Sequence, residues 1–151
     1  MSLEIWIGAA FAKGGYGGWS WSRLDGAGSG VAGGDRRTTE ARMALTAAVQ
    51  ALKEAAKDPP GPVKLYTAHR KLLTAPAEPG EDADLRDALA KAVAARIASV
   101  TFVDAPPAHP AAVFAHNWAA FALDIAKTKG AFDATIPASN LKTIIAKRNS
   151  R

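Results

Sequence analysis

The stretch RRTTEARMALTAA, from Arg36 to Ala48, predicts the beginning of the helix around which the rest of the chain is organised. Thr39 stands directly before the first residues at helical spacing, and threonine is a favoured N-terminal cap. Apolar residues then recur on one side of the helix, at Leu45, Val49, Leu52 and Ala56. The prolines of DPPGP cannot continue a helix, so the pattern predicts a helix from about Thr39 to Lys57.

Strand-like segments lie on both sides of this helix. Three precede it, SLEIWIGAAFA, YGGWSWSRL and GVAGG, with glycine-rich turns between them. After it, the strand-like VKLYT and ASVTFVDA alternate with a helical turn at AHRKLL, a helix capped by Asp82 and an alanine-rich helix over 111–129. This order predicts an α/β protein with helices on both faces of a five-stranded mixed sheet, in which the first strand is central and the second antiparallel to it.

The composition is typical of one soluble globular domain. The chain has 151 residues, of which 48% are apolar and 22% charged, and it has no cysteine. Disulfides, thiolate catalysis and cysteine-based zinc sites are therefore excluded. The opening MSLEIWIGAA has neither the basic region of a signal peptide nor a long apolar run, which favours a cytoplasmic protein.

The net charge of +5 is concentrated at the C-terminal end. Residues 141–151 hold four basic residues and no acidic one, so the rest of the chain carries 15 basic and 14 acidic residues. A protein that tracks phosphates along a groove usually has a basic face, and this body is nearly neutral. The charge alone therefore gives little support to nucleic-acid binding.

Residues 130–151 form an extension to the predicted 1–129 domain, mostly irregular, with Ser139 predicted to cap a short helix over NLKTIIAKR. One side of that helix is apolar, with Leu141, Ile144 and Ile145. Basic residues lie elsewhere on it, at Lys142, Lys147 and Arg148. The helix either docks on its own domain, binds a protein partner or a second copy of the chain, or acts as a basic arm for nucleic acid.

Four segments together resemble the bacterial type-1 ribonuclease H family. The first strand followed by GGYGGW is similar to the family's first hairpin, and TTEARMAL is similar to its TTNNRMEL. LYTAHRKLL is similar to IYTDSQYV, and FVDAPPAHPAAVFAHNWA, which keeps the His109–Pro110 pair, to WVKGHAGHPENERCDELA. The segments occur in the family's order over roughly residues 3–129. The resemblance implies a ribonuclease H-like fold, in a family that cleaves the RNA strand of an RNA–DNA hybrid with two metal ions.

The resemblance also identifies four metal-ligand positions, and none of them is acidic in this chain. The family uses four carboxylates, because magnesium prefers anionic oxygen ligands and two neighbouring cations repel each other. The matching residues are Gly8, Ala44, Ala68 and His116, and Pro106 stands in place of the family's loop histidine. We expect the four to share one shallow cleft without a metal, and the chain to use no cofactor and not to be an enzyme. An alternative is a rewired metal-dependent nuclease that uses Glu40, His69, Asp104 and His116.

Contacts to the nucleic-acid backbone are the part of the family's function that the residues retain. The family binds a phosphate where Thr39 stands, and the free N–H groups of a helix N-terminus suit that role, although Thr39 can equally serve as a cap alone. Basic residues are predicted around it, namely Lys13, Arg37, Arg42 and Arg70. We therefore predict a non-catalytic module that binds the backbone of an RNA–DNA hybrid or duplex. A protein-interaction or self-association module is the alternative.

Tryptophans and phenylalanines raise two further expectations. Trp19 and Trp21 share one face of a strand, where they either pack beneath a helix or form a base-stacking platform. Trp118, Phe121 and Leu123 are predicted to belong to the core.

Overall fold

The computed structural model describes residues 3–26, 28–57, 61–74, 80, 82–96 and 99–149. Within those ranges the strands are β1 (Leu3–Ala12), β2 (Tyr16–Arg23), β3 (Ser29–Asp35), β4 (Val63–Thr67), β5 (Val100–Asp104) and β6 (Phe132–Thr135). The helices are α1 (Glu40–Ala55), α2 (Arg70–Thr74), α3 (Ala83–Ala94), α4 (Pro110–Lys129) and α5 (Ala138–Asn149).

The strands form one mixed sheet in the order β5-β4-β1-β2-β3-β6. β1 pairs antiparallel with β2 and parallel with β4, so the predicted fold class and the central position of the first strand are confirmed. The sheet has six strands where five were predicted. The additional strand, β6, comes from the extension and pairs antiparallel with β3, with Thr135 opposite Val31.

One face of the sheet packs against α1, α2 and α3. Ile5 and Ile7 of β1 and Trp19 and Trp21 of β2 belong to this core, together with the buried side of α1. Trp19 is only 7% exposed and Trp21 only 5%. The two rings are therefore core residues, and a base-stacking platform is excluded.

The other face packs against α4 through small residues. The buried positions of α4 form a helical stripe made largely of alanines, at Ala111, Ala115, Ala119, Ala122 and Ala126. Alanine has the smallest side chain of the apolar residues, so the helix can approach the strands closely. Among the described residues no helix is long and apolar enough to span a membrane.

The C-terminal extension docks on this second face. Leu141 and Ile144 of α5 are buried, and Ile145 is half-buried, in a cluster with Trp6, Leu24 and Ile136. Docking on the chain's own domain is thus what the structure shows. The alternative in which Leu141, Ile144 and Ile145 bind a partner or a second copy is not supported, because their own domain covers them.

Helix boundaries follow the sequence closely, with three corrections. The helix α1 ends at Ala55 rather than Lys57, and α5 begins at Ala138, so Ser139 lies inside it and is not its cap. Asp82 precedes α3 as predicted, but its side chain makes no capping hydrogen bond.

Phe121 is 54% exposed and so lies outside the core, contrary to the prediction, whereas Leu123 is buried and Trp118 half-buried.

Candidate nucleic-acid interface

Two adjoining hollows lie at the end of β4: one extends to the start of α1, and the other lies along the middle of β1. The first, the polar hollow, has a volume of about 500 Å³ and is lined by Thr39, Glu40, Ala41, Ala68, His69, Arg70, Lys71, Leu72 and Asp104. The second, the apolar hollow, has a volume of about 290 Å³ and is lined by Ile7, Gly8, Ala9, Ala68, His69, Ala105, Pro107, Ala112, Val113 and His116. Because Ala68 and His69 line both, the hollows are neighbours on one surface.

Three of the four degenerate metal-ligand positions come together. Gly8, Ala68 and His116 all line the apolar hollow, as expected of positions that share a cleft. Ala44 does not line it. It is 1% exposed and belongs to the core between α1 and the sheet, so the expectation of a cleft shared by all four is only partly met.

The helix α4 lies directly against Gly8. A Cβ atom at this position would overlap the carbonyl oxygen of Ala115 and lie 2.6 Å from its carbonyl carbon. Likewise, a Cβ atom at Gly18 of β2 would overlap the carbonyl oxygen of Ala119, one helical turn further along α4. Ser20 Oγ of β2 donates a hydrogen bond of 2.6 Å to the Ala115 carbonyl oxygen. The backbone of α4 therefore occupies the space into which any side chain at residue 8 would point.

The residues present do not fit a pair of divalent cations. Glycine and alanine offer no side-chain ligand, and imidazole is a poor ligand for magnesium. Of the alternative rewired set, Glu40 and His69 contact each other, with Glu40 Oε1 3.1 Å from His69 Nδ1. Asp104 is paired with Arg70, which lies outside the set, through a contact of 3.1 Å from Asp104 Oδ2 to Arg70 Nε. Among the described residues, no group of three or more histidine, aspartate or glutamate side chains is placed to hold a metal.

The N-terminus of α1 opens into the polar hollow. Thr39 caps the helix: its Oγ1 accepts a hydrogen bond of 3.1 Å from the Arg42 N–H, and its carbonyl oxygen accepts one of 3.1 Å from the Met43 N–H. The N–H groups of Glu40 and Ala41 have no acceptor among the described residues, and both residues line the hollow. Thr39 is thus a cap, and the two remaining N–H groups can still receive an anion.

The predicted basic residues divide into two groups. Arg42 and Arg70 are held by acids, because Arg42 contacts both Asp84 oxygens at 3.0 and 3.2 Å and Arg70 pairs with Asp104. Lys13 and Arg37 are exposed and make no ion pair among the described residues. Arg37 also has a φ of 52°, in the left-handed region that residues other than glycine rarely adopt. Only Lys13 and Arg37 are therefore available for a phosphate without first breaking an ion pair.

The contact between Arg42 and Asp84 is the main feature that sequence reasoning missed. The hydrogen bond from Arg42 lowers the pKa of the Asp84 carboxyl, and the same bond raises the pKa of the Arg42 guanidinium. Because the Asp84 pKa is lowered in the folded chain, this pairing persists at neutral pH and is lost only as the pH falls through that pKa. Asp84 lies 42 residues beyond Arg42 on another helix, and no local pattern links the two.

Lys71 was also missed, although its position next to Arg70 could have suggested it. It is exposed at the start of α2, lines the polar hollow and makes no ion pair among the described residues. Lys13, Arg37 and Lys71 are thus three unpaired cations at this edge of the sheet.

Comparisons with known proteins identify the fold. No protein-family model matches the sequence, and no curated protein matches it. Ribonuclease H1 from the halophilic archaeon Halobacterium salinarum NRC-1 is 24% identical with a TM-score of 0.58, over 83% of this chain and 99% of that protein. LC9-RNase H1, a type 1 RNase H with the type 2 active-site motif, is 17% identical with a TM-score of 0.65, over 98% of this chain and 86% of that protein.

A third similar structure contains nucleic acid. LC11-RNase H1 in complex with an RNA/DNA hybrid is 16% identical with a TM-score of 0.65, over 83% of this chain and 99% of that protein. Identities below 25% carry information on the fold alone. Together with the mixed sheet and its helices, these likenesses show that the chain has the ribonuclease H-like fold that its sequence predicts.

Proposed function

We propose that this chain is a non-catalytic nucleic-acid-binding module that holds the backbone of an RNA–DNA hybrid or duplex without cleaving it. The observation that carries the proposal is the position of α4 against Gly8, which the resemblance aligns with a metal ligand: a side chain at this position would overlap the backbone of α4. Two-metal hydrolysis needs an open cage of anionic ligands, and within the described ranges no three acidic or histidine side chains are grouped to form one.

Binding to a nucleic-acid backbone is supported by the donor groups at and near the N-terminus of α1. Glu40 and Ala41, whose N–H groups have no acceptor among the described residues, line the polar hollow together with Lys71. Lys13 follows β1 and Arg37 precedes α1, and neither makes an ion pair among the described residues. Phosphate contacts of this kind position a nucleic acid but read no base edge. A protein of the same fold, LC11-RNase H1, has been solved with an RNA/DNA hybrid bound.

The surroundings also indicate that the affinity is weak. The Glu40 carboxylate stands in the first turn of α1, and Arg42 and Arg70 are neutralised by Asp84 and Asp104. Each of these acids repels a phosphate or occupies a cation that would otherwise bind one. We therefore propose binding that is sensitive to salt and indifferent to base sequence.

A protein-interaction module is the second candidate, and one surface favours it. Phe121 and Val113 of α4 are 54% and 43% exposed, and Phe121 makes an edge-to-face contact with Trp118 at a centroid distance of 5.5 Å. Exposed apolar side chains of this size are more common at contact surfaces than elsewhere. A rewired nuclease is the least supported candidate, since Asp104 is paired with Arg70 and no group of three or more histidine, aspartate or glutamate side chains is placed to hold a metal in the part of the chain that the structure describes.

The proposal is tested by replacing Lys13 and Arg37 with alanine and titrating a labelled RNA–DNA hybrid by fluorescence anisotropy at several salt concentrations. Each phosphate contact contributes about 0.9 to the slope of log K against log salt. The double variant is expected to bind more weakly and to lose up to about 1.8 from that slope.

Lys53→Ala is the matched control. It removes an exposed cation from the opposite end of the same helix, about 20 Å from Thr39 at 1.5 Å per residue. If the control and the double variant lost equal affinity for the hybrid, binding would be due to the overall positive charge of the protein and not to Lys13 and Arg37. Absence of binding by the wild-type protein to hybrid or duplex at low salt would overturn the proposal in favour of the protein-interaction module.

A further inference from the structure

The apolar hollow differs chemically from the polar hollow beside it. Its walls are the methyl groups of Ala68, Ala105 and Ala112 together with Pro107 and Val113. The only side-chain polar groups in its lining are two imidazoles, those of His69 and His116. A metal ion would find no anionic ligand there, and a phosphate would be placed against hydrocarbon.

We infer that the apolar hollow binds one unpaired base of a nucleic-acid strand whose phosphate lies in the polar hollow. This inference rests on the proposed function and adds to it the class of nucleic acid. A base is a flat, largely apolar ring with a hydrogen-bonding edge, and single-stranded bases are commonly held by stacking on aromatic side chains, histidine among them.

The geometry of the two hollows supports this pairing of base and phosphate. They adjoin at Ala68 and His69, so one nucleotide can place its base in the first and its phosphate in the second. The volume of about 290 Å³ lies at the small end of the range for ligand pockets, which suits a single ring system rather than a larger ligand.

The two imidazoles are suited to a base edge. His69 Nδ1 lies 3.1 Å from Glu40 Oε1, and when this nitrogen carries the proton, Nε2 of the neutral ring has a free lone pair that accepts a hydrogen bond. The imidazole of His116 is exposed on α4 and has no hydrogen-bond partner among the described residues. One ring in contact with Glu40 and one ring without a partner among the described residues thus line an otherwise apolar hollow.

Charge favours a nucleic acid over an aromatic side chain of a protein as the source of the ring. In the adjoining polar hollow Arg70 is paired with Asp104, whereas Lys71 makes no ion pair among the described residues. The N–H groups of Glu40 and Ala41, which also line it, have no acceptor there. A strand brings a phosphate to Lys71 and these N–H groups together with its base. A continuous duplex cannot do so, because its bases are stacked inside; unpaired bases cost the least to expose.

The test uses three RNA–DNA hybrids of equal length, measured by fluorescence anisotropy with the full-length protein. One is continuous, one has a single bulged adenosine in the RNA strand, and one has an abasic residue at the bulge. The adenosine bulge is expected to bind at least about fivefold more tightly than the abasic bulge, since stacking of a base is worth that much or more. With 2-aminopurine as the bulged base, its fluorescence should change on binding.

Two variants assign the effect to the hollow. Ala112→Leu adds bulk to a half-buried wall residue, and His116→Ala removes one imidazole; each should reduce the difference between the adenosine and abasic bulges to about twofold or less while leaving the abasic probe unaffected. Asn117→Ala, at the next exposed position of α4 and outside the lining, is the matched control and should leave the difference intact. Circular dichroism melting confirms that each variant is folded.

The outcomes separate this inference from the function on which it rests. Equal affinity for the adenosine and abasic bulges would overturn the inference and leave backbone binding in place. No binding of any of the three probes would overturn both. If the two bulges bind alike while N-acetyltryptophanamide binds wild type but not Ala112→Leu, the hollow receives an aromatic side chain of a protein, which also overturns the inference.

Discussion

Replacing Gly8 with aspartate is expected to lower the free energy of unfolding by about 3 kcal/mol or more, rather than to restore a metal ligand. The new Cβ would overlap the carbonyl oxygen of Ala115, so α4 must move away from the sheet. That movement loosens the alanine stripe of α4 and the hydrogen bond from Ser20 Oγ. The carboxylate would also be buried without a cationic partner. Urea unfolding measures the loss.

Two alanine substitutions separate the causes of this destabilisation. Gly8→Ala introduces only the steric conflict, and overpacking of this kind typically costs about 1–3 kcal/mol. Gly80→Ala is the matched control, since a Cβ there would have no atom within 4 Å. A Gly8→Asp protein as stable as the wild type would mean that α4 does not lie against the sheet as described.

The close packing of α4 against Gly8 and the burial of Ala44 also determine the expected result of introducing all four carboxylates together. Gly8→Asp, Ala44→Glu, Ala68→Asp and His116→Asp together would rebuild the ligand set by residue type alone. Ala44 is 1% exposed and lies within the core on the α1 side, so a glutamate there would be buried among apolar groups. We expect the fourfold variant to be destabilised and to show no magnesium binding by isothermal titration calorimetry.

The replacement of Leu141 by alanine is expected to lower the free energy of unfolding by about 2–5 kcal/mol, the usual range for a buried leucine. Leu141 is 3% exposed and packs in the cluster that contains Leu24 and Ile136, so its loss leaves a cavity beneath α5. A domain of this size loses about 2–4 °C in melting temperature per kcal/mol. Thermal unfolding followed by circular dichroism should therefore show a decrease of at least about 4 °C.

Lys142→Ala is the control for this substitution, because the adjacent side chain is exposed and its loss should change stability by less than about 0.5 kcal/mol. If Leu141→Ala kept the wild-type melting temperature while Lys142→Ala weakened hybrid binding, α5 would be a detached basic arm, contrary to its docked position.

The parts of the fold that local pattern determines could be predicted. Thr39 was expected to cap α1 because its neighbours fix the helical spacing, and its Oγ1 does accept the Arg42 N–H. The alternation of Trp19 and Trp21 along β2 favoured packing beneath a helix, and both are buried. Each of these features depends on residues within a few positions of one another.

Three features that depend on contacts between distant segments could not be predicted. The four residues Phe132–Thr135 form a strand because the edge of β3 offers them hydrogen bonds, and the segment alone is too short to indicate this. The overlap between a side chain at residue 8 and Ala115 depends on how closely a helix approaches a sheet, and sequence spacing does not report that distance. The neutralisation of Arg42 by Asp84 is likewise a contact between separate helices.

Binding without cleavage is tested most directly by the length of the RNA strand after incubation with excess protein. End-labelled RNA–DNA hybrid is mixed with full-length protein in magnesium or manganese, at a concentration at which anisotropy reports binding, and the RNA is resolved on a denaturing gel. We expect bound hybrid with intact RNA in both metals. Metal-dependent shortening of the RNA, stopped by EDTA, would contradict it.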